Sequence, residues 1–234
     1  MKNNIQDKTK LVNSVFSKVY KKYDLMNDIM SLGIHRIWKD KYINWLNPSP
    51  NSNLIDVASG TGDIAKLFSN YINHSAKITC VEPNNEMFEE GKKNLKKYKN
   101  IEWIKAAAEV LPIKDNSFDY YTISYGIRNV SDINKALKEA FRVLKTGGRF
   151  MCLEFSKIDN EALNFLYKQY SKIIPLAGKY IVGSSKPYDY LVESIDSFYN
   201  QKQLCDLMIK NGFSNVEYRN LSNGISAIHS GWKI

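Results

Sequence analysis

The chain has 234 residues, 44% of them hydrophobic and 24% charged, with a formal net charge of +9. This is the balance of a globular protein, and because no apolar run reaches the ~18 residues of a membrane-crossing helix, it excludes a spanning segment. Three isolated cysteines, Cys80, Cys152 and Cys205, are odd in number, and the first two sit inside apolar strand patterns. They predict buried reduced thiols rather than disulfides, and no metal site is expected.

The opening MKNNIQDKTK has neither an apolar signal core nor the arginines of a transit peptide, which predicts that the chain starts in its working compartment, the cytosol by default. Residues 10–22 place Leu11, Val12, Val15, Phe16 and Val19 at helical spacing with lysines between them. This amphipathic helix reads as core packing or as a lid or membrane-facing element. Residues 23–46 read as two helices broken at 31–33 and ended near Pro48. With no Pro/Gly/Ser linker and no repeat, the expectation is one domain, 1–234, with an N-terminal helical lid over 1–50.

The core then alternates: strand 53–58, helix 62–73, strand 77–82, helix 84–97, strands 101–105 and 118–124, helix 132–145 and strand 148–155, with a helix stop and turn at 145–148. Alternation of this kind predicts an α/β fold, a mainly parallel sheet with helices on both faces and its ligand beyond the carboxyl ends of the strands. Helical patterns follow near 159–174 and 188–211. The apolar segments 214–221 and 224–230 predict a closing antiparallel hairpin.

Within that frame LIDVASGTGD, residues 54–63, reads as a buried strand, a carboxylate and a glycine turn that opens a helix. Gly60 and Gly62 let backbone approach a nucleotide-like ligand. The next strand, KITCVE, ends in Glu82, where an acid accepts both hydroxyls of a ribose or serves as a helix N-terminal charge. The third glycine of the dinucleotide fingerprint is absent, since Ile64 and Ala65 follow Asp63, which points to S-adenosylmethionine over NAD. Asp63 is read equally as a helix cap and as a contact for the ligand's amino group. Ala107 and Ala108, on the loop 106–112, let backbone amides read adenine or simply fill the loop.

The strand 118–124 ends in SYGIRN, placing Arg128 and Asn129 on a loop facing the reacting end. A guanidinium there holds a phenolate or quinone oxygen through its planar fork, or else forms a salt bridge to Asp132 or Glu154. His35 is read as a structural histidine or as a general base. Lys92, Lys93, Lys96, Lys97 and Lys99 form a basic face, read as solvated, as meeting anionic lipid or as meeting nucleic acid. Nothing resembles an RNA or DNA reader module, so no nucleic-acid partner is expected.

These stretches resemble the UbiE/COQ5 family of quinone-biosynthesis C-methyltransferases, which methylate demethylmenaquinol and 2-polyprenyl-6-methoxy-1,4-benzoquinol. The resemblance runs from Val15 to Lys233 through VFSKVYKKYDLMNDIMSLGIHRIWK, LIDVASGTGDIA, ISYGIRNVSD, RVLKTGGRFMCLEFSK, YDYLVESI and GISAIHSG. It implies a class I Rossmann-like methyltransferase fold and S-adenosylmethionine as cofactor. The family pattern implies methionine-end contacts at Thr61 beside Gly60, Gly62 and Asp63, ribose at Glu82, adenine at Ala107 and Ala108, and a further contact at Ser124. From the residues and the chemistry such a reaction needs, Arg128 is read as the phenolate site, Asn129 as orienting the ring, and His35 or a lid tyrosine as the base. Met26, Met30, Ile34 and the helix 160–182 are expected to cover the isoprenoid tail. Ser59 stands where the family has glycine, Glu82 where aspartate is common, and Ala107 where asparagine or aspartate touches adenine.

The implied substrate is a polyprenylated benzoquinol or naphthoquinol of ubiquinone or menaquinone biosynthesis, and the implied location is the cytoplasm, attached peripherally to an anionic inner membrane face. A homodimer is compatible with the sequence. Two alternatives stay open: a methyltransferase of another small molecule or RNA, and a weakly active scaffold subunit of a quinone-synthesis assembly.

Overall fold

The computed structural model describes residues 12, 14, 15, 17, 27, 28, 31, 33–158, 160–182 and 186–234. Helix α1 (His35–Leu46) leads into β1 (Leu54–Val57), α2 (Asp63–Tyr71), β2 (Ile78–Val81), α3 (Asn85–Asn94), β3 (Ile101–Ile104) and β4 (Phe118–Ser124). After a short turn, Ile127–Asn129, come α4 (Ile133–Val143), β5 (Leu144–Phe155), α5 (Glu161–Val182), α6 (Lys186–Asp196), α7 (Gln201–Lys210), β6 (Ser214–Leu221) and β7 (Ser226–Trp232).

The seven strands form one sheet in the order β3-β2-β1-β4-β5-β7-β6. The first five are parallel; β7 runs antiparallel to both β5 and β6, the expected closing hairpin. β1 and β2 are buried at every position because helices cover both faces, which is why their sequences read as unbroken apolar runs. Successive residues of a strand face opposite ways, so Leu54 joins a core with Trp38, Tyr42, Phe68 and Tyr188, and Ile55 joins one with Leu137, Leu204 and Phe213.

The sequence groups residues 35–46 with a lid; in the structure they pack into the first core. Trp38, Tyr42, Ile43 and Leu46 are buried there, and the Tyr42 hydroxyl donates to the Met151 carbonyl at 2.7 Å. Residues 145–148 are not a turn, since β5 starts directly after α4. Gly147 (φ +80°) and Gly148 exchange backbone hydrogen bonds with Lys233, and the pairing with β4 slips between Phe118 and Tyr120. The apolar pattern over 188–211 is two helices, because the Asn200 side chain accepts from the Gln203 N–H while the Gln203 side chain accepts from the Asn200 N–H.

Candidate active site

β1, β2, β4 and β5 deliver their carboxyl ends to one edge of the sheet. Beyond β1 the chain turns through Ala58 (φ +53°), Gly60 (φ +56°) and Gly62 (φ +92°) into α2. A Cβ on Gly62 would lie 2.5 Å from Leu95 Cδ1, so this position requires glycine both for its φ and for its contact. Ser59, the departure from the family's glycine, stitches two strands: its hydroxyl donates to the Asp56 carbonyl at 2.6 Å and accepts from the Val81 N–H at 3.1 Å.

Glu82 is buried at the end of β2. Its Oε2 accepts from the Gly60 N–H and its Oε1 from the Asn84 N–H, both at 2.9 Å. Burial pushes its pKa up to about 7 against the pull of those two N–H groups. It borders a cleft of about 820 Å³ together with Met87, Ala107, Ala108, Asn129 and Val12. Val12 and the buried Val15 have helical backbone, and the Ser17 hydroxyl donates to Glu86 Oε2 at 2.7 Å. The described part of the segment 10–22 therefore packs against the cleft. Glu109 also lines the cleft; its Oε1 accepts from the Ser131 N–H and hydroxyl, both at 2.6 Å, and from the Asp132 N–H.

A second, smaller cavity of about 360 Å³ adjoins Gly60 and is lined by Lys39, Asp56, Thr61, Asp63 and Ser124 among others. Lys39 Nζ donates to Asp63 Oδ2 at 2.6 Å, and Gly62 occupies the cap position of α2 with no side-chain cap. Asp63 is thus an ion-pair partner rather than a cap. Asp56 Oδ1 accepts from the Thr122 hydroxyl at 2.7 Å, and burial pushes the Asp56 pKa up to about 7. Its Oδ2, the Ser124 Oγ and the Asn27 Nδ2 are buried without hydrogen-bond partners among the described residues, and all three residues line this cavity. One acceptor, one hydroxyl and one amide donor beside an ammonium suit the zwitterionic end of an amino acid. The neighbouring cleft, with an acid at a strand end and small residues opposite, suits a nucleoside. Together they fit S-adenosylmethionine. Lys39 and Asn27 lay outside the sequence reading; nothing local marks them, since Lys39 finds its partner 24 positions along the chain.

Past β4, Tyr125 adopts φ +55° and Arg128 turns inward. Its side chain is only 2% exposed; Nη1 donates to Glu154 Oε1 and to the Tyr125 carbonyl, the latter at 2.8 Å. This is the salt-bridge alternative, with Glu154 as the partner and not Asp132, whose carboxylate caps α4 at the Lys135 N–H. Asn129 borders the large cleft; its Oδ1 accepts from the Tyr190 hydroxyl at 2.9 Å and its Nδ2 donates to the Tyr125 carbonyl at 3.3 Å. His35 lies elsewhere. It is 1% exposed and lines neither cavity, its Nε2 is 2.8 Å from Asp28 Oδ1, and burial together with Lys39 lowers its pKa. The geometry is that of the structural histidine. Met26 and Met30 lie outside the described residues. Cys80 and Cys152 are buried and free, and among the described residues no cluster of His, Cys, Asp and Glu could hold a metal ion.

Known proteins share the fold and, in some cases, the sequence. The fold is shared with a SAM-dependent methyltransferase from Thermotoga maritima (TM-score 0.66, 22% identity, 94% of this chain and 99% of that one). It is also shared with a Haemonchus contortus phosphoethanolamine N-methyltransferase 2 bound to S-adenosyl-L-methionine (TM-score 0.63, 14% identity, 84% of this chain and 52% of that one). In sequence the chain is 53% identical to a Rickettsia bellii protein named ubiquinone/menaquinone biosynthesis C-methyltransferase UbiE, over 97% of this chain and 94% of that one. A Brucella suis protein of the same name is 49% identical, over 97% of this chain and 87% of its own. Residues 2–233 match a single family throughout, and the chain belongs to the ubiE/COQ5 methyltransferase family.

Proposed function

We propose that this methyltransferase places a methyl group on a ring carbon of a polyprenylated benzoquinol or naphthoquinol, a step of ubiquinone or menaquinone biosynthesis. The observation that carries the reading is the meeting of two half-sites at neighbouring strand ends. The cleft and cavity around Glu82 and Asp56 suit S-adenosylmethionine, and the loop after β4 brings Asn129 to the same opening. Bound there, S-adenosylmethionine supplies an electrophilic methyl on a positively charged sulfur.

An aromatic C–H is a poor nucleophile. Ionising the neighbouring phenol, with a reference pKa of ~10, delivers electron density to the ring carbon. The protein's part is therefore to hold the ring and favour the phenolate. Glu82 accepts the ribose hydroxyls, while Thr61, Ser124 and Lys39 surround the amino-acid end. Asn129, its amide oriented by Tyr190 and the Tyr125 carbonyl, orients the ring. Arg128 is fixed by Glu154 in a charge pair beneath the loop. Its part in phenolate stabilisation is to hold the loop that carries Asn129 rather than to offer an open fork, and His35 supports α1 instead of moving a proton. Turnover of a demethylated quinol with methyl-labelled cofactor tests the reading. Label on a ring carbon is expected, and cofactor binding without transfer to any quinol would overturn it.

The isoprenoid tail keeps such a substrate in lipid, and we assign the enzyme a reversible attachment to an anionic membrane surface. No helix among the described residues is long and apolar enough to cross a membrane. Support comes from the +9 charge, from Phe165 and Leu166 exposed on α5, and from the exposed lysines 92, 93, 96, 97 and 99. Attraction of about 1 kcal/mol per lysine near the surface makes the attachment salt-sensitive. Co-sedimentation that is equal and negligible with anionic and neutral vesicles at low salt would reject it.

A further inference from the structure

The stretch 23–39, YDLMNDIMSLGIHRIWK, is one of those that carry the family resemblance, and its described polar side chains divide into two groups. One group holds the stretch together. The Ser31 hydroxyl donates to the Asn27 carbonyl at 2.7 Å and accepts from the His35 N–H at 3.1 Å. The Asp28 carboxylate lies 2.8 Å from His35 Nε2 and accepts from Arg36 Nε and Nη2 at 3.2 and 2.9 Å. These contacts fix residues 27 and 28 against the start of α1. The other group, Asn27 and Lys39, is buried and lines the smaller cavity with Asp56, Thr61 and Ser124.

Asn27 is 3% exposed, and its Nδ2 has no hydrogen-bond partner among the described residues. A buried amide donor left unpaired is destabilising, so a donor in this state is kept for a group that the chain itself does not supply. Lys39 Nζ uses one of its three N–H donors on Asp63 Oδ2, and two remain. Asn27 Nδ2 and Lys39 Nζ only donate, which suits a carboxylate. Asp56 Oδ2, buried and also unpaired, accepts, which suits an ammonium. The amino-acid end of the cofactor carries both groups on one carbon. Its carboxylate placed at Asp56 would face another carboxyl group; placed at Lys39 it meets a cation.

We propose that Asn27 and Lys39 bind the α-carboxylate of the cofactor, so that the stretch 23–39 is part of the cofactor site and selects a ligand with an intact amino-acid end. The proposal rests on S-adenosylmethionine as cofactor and is independent of the quinol. No covalent bond changes at either residue. Glu82 and this pair then hold the ligand from the two sides of Gly60, which borders both the cleft and the cavity.

The groups are separated by S-adenosylhomocysteine, its decarboxylated form, which keeps the amine, and 5′-methylthioadenosine, which lacks the whole end. In calorimetric titration the wild type is expected to bind S-adenosylhomocysteine about ten- to a hundredfold more tightly than the decarboxylated form, the scale of charge-assisted hydrogen bonds. Asn27→Leu and Lys39→Met, each close to the original in shape, should lower the affinity for S-adenosylhomocysteine about tenfold or more and leave the other two ligands at wild-type values. Asp63, left behind by Lys39→Met, has a side chain 41% exposed, so this variant is expected to keep the wild-type circular dichroism spectrum. Equal losses for all three ligands would overturn the proposal, because they mark a framework role. A loss shared by S-adenosylhomocysteine and its decarboxylated form would also overturn it, since the residues would then serve the amine. Wild-type protein that binds these two equally tightly overturns it without any variant. Wild-type protein that binds none of the three overturns the cofactor assignment itself.

Discussion

Glu82 and Glu154 are both buried glutamates at the carboxyl ends of parallel strands, yet they are held in opposite ways. Glu82 has two backbone N–H groups and no cation; Glu154 has the Arg128 guanidinium together with the Phe155 N–H. The first arrangement leaves a carboxylate that titrates near neutrality and borders an open cleft. The second locks a charge pair into the framework. On the cofactor side the backbone does the shaping and the acid stays available, whereas on the substrate side the acid is used up in placing another side chain.

The largest effect that contrast predicts is at Arg128. Arg128→Met leaves Glu154 buried without its partner and should cost about 3–5 kcal/mol in urea unfolding, most of it recovered in Arg128→Met/Glu154→Leu. A single variant as stable as wild type would break the contrast. Arg128→Lys keeps the charge but cannot hold Glu154 and the Tyr125 carbonyl together as the guanidinium does, so the loop carrying Asn129 should shift and turnover fall while cofactor affinity holds; wild-type turnover would remove the pair from the chemistry.

Glu82 predicts a pH effect of opposite character. Its folded pKa, about 7, lies above the usual carboxylate value, so the folded state binds this proton more tightly than the unfolded chain. The associated stability is fully present at low pH and is lost as pH rises through about 7, on the order of 3 kcal/mol, with Asp56 contributing in the same sense. Between pH 5 and pH 8, Glu82→Gln should therefore lose less stability than wild type; parallel pH curves would remove Glu82 as the source. Glu82→Ala should weaken cofactor binding by roughly 1.5–3 kcal/mol, about tenfold to a hundredfold and more, read by calorimetric titration.

Smaller effects separate the glycines. Gly62→Ala meets both φ +92° and the Leu95 side chain and should cost about 1–3 kcal/mol, with weakened cofactor binding. Gly147→Ala at φ +80° has nothing within 4 Å and should cost only about 1 kcal/mol, leaving binding intact. Equal losses in thermal unfolding would mean that backbone strain, not contact, governs the turn.

The same division explains what was legible in the sequence. The glycine turn, the strand-ending Glu82 and the alternation of β1 to β5 are written in local spacing, and the chain follows them closely. The substrate side depends on partners far apart: Arg128 with Glu154 and Asn129 with Tyr190. Residue type alone left Arg128 poised between ligand and salt bridge, and left His35 between base and framework, since nothing in the sequence says that Asp28, earlier in the same stretch, meets its ring. The KTGG segment misled for a related reason. Its glycines signal a turn, but pairing with the chain end at Lys233 draws them into a bulged strand.

Ala58 and Tyr125, each just past the end of its strand, share a positive φ, and Gly126 brings the two loops together: a methyl group added there would sit 2.5 Å from the Ala58 Cβ. One loop belongs to the cofactor side, and the other carries Arg128 and Asn129. Because the loops meet this closely, there is no room for a side chain between them. Methyl transfer asks for reacting atoms within ~3–3.5 Å. A side chain at position 126 would act as a shim, widening that gap in an otherwise intact enzyme.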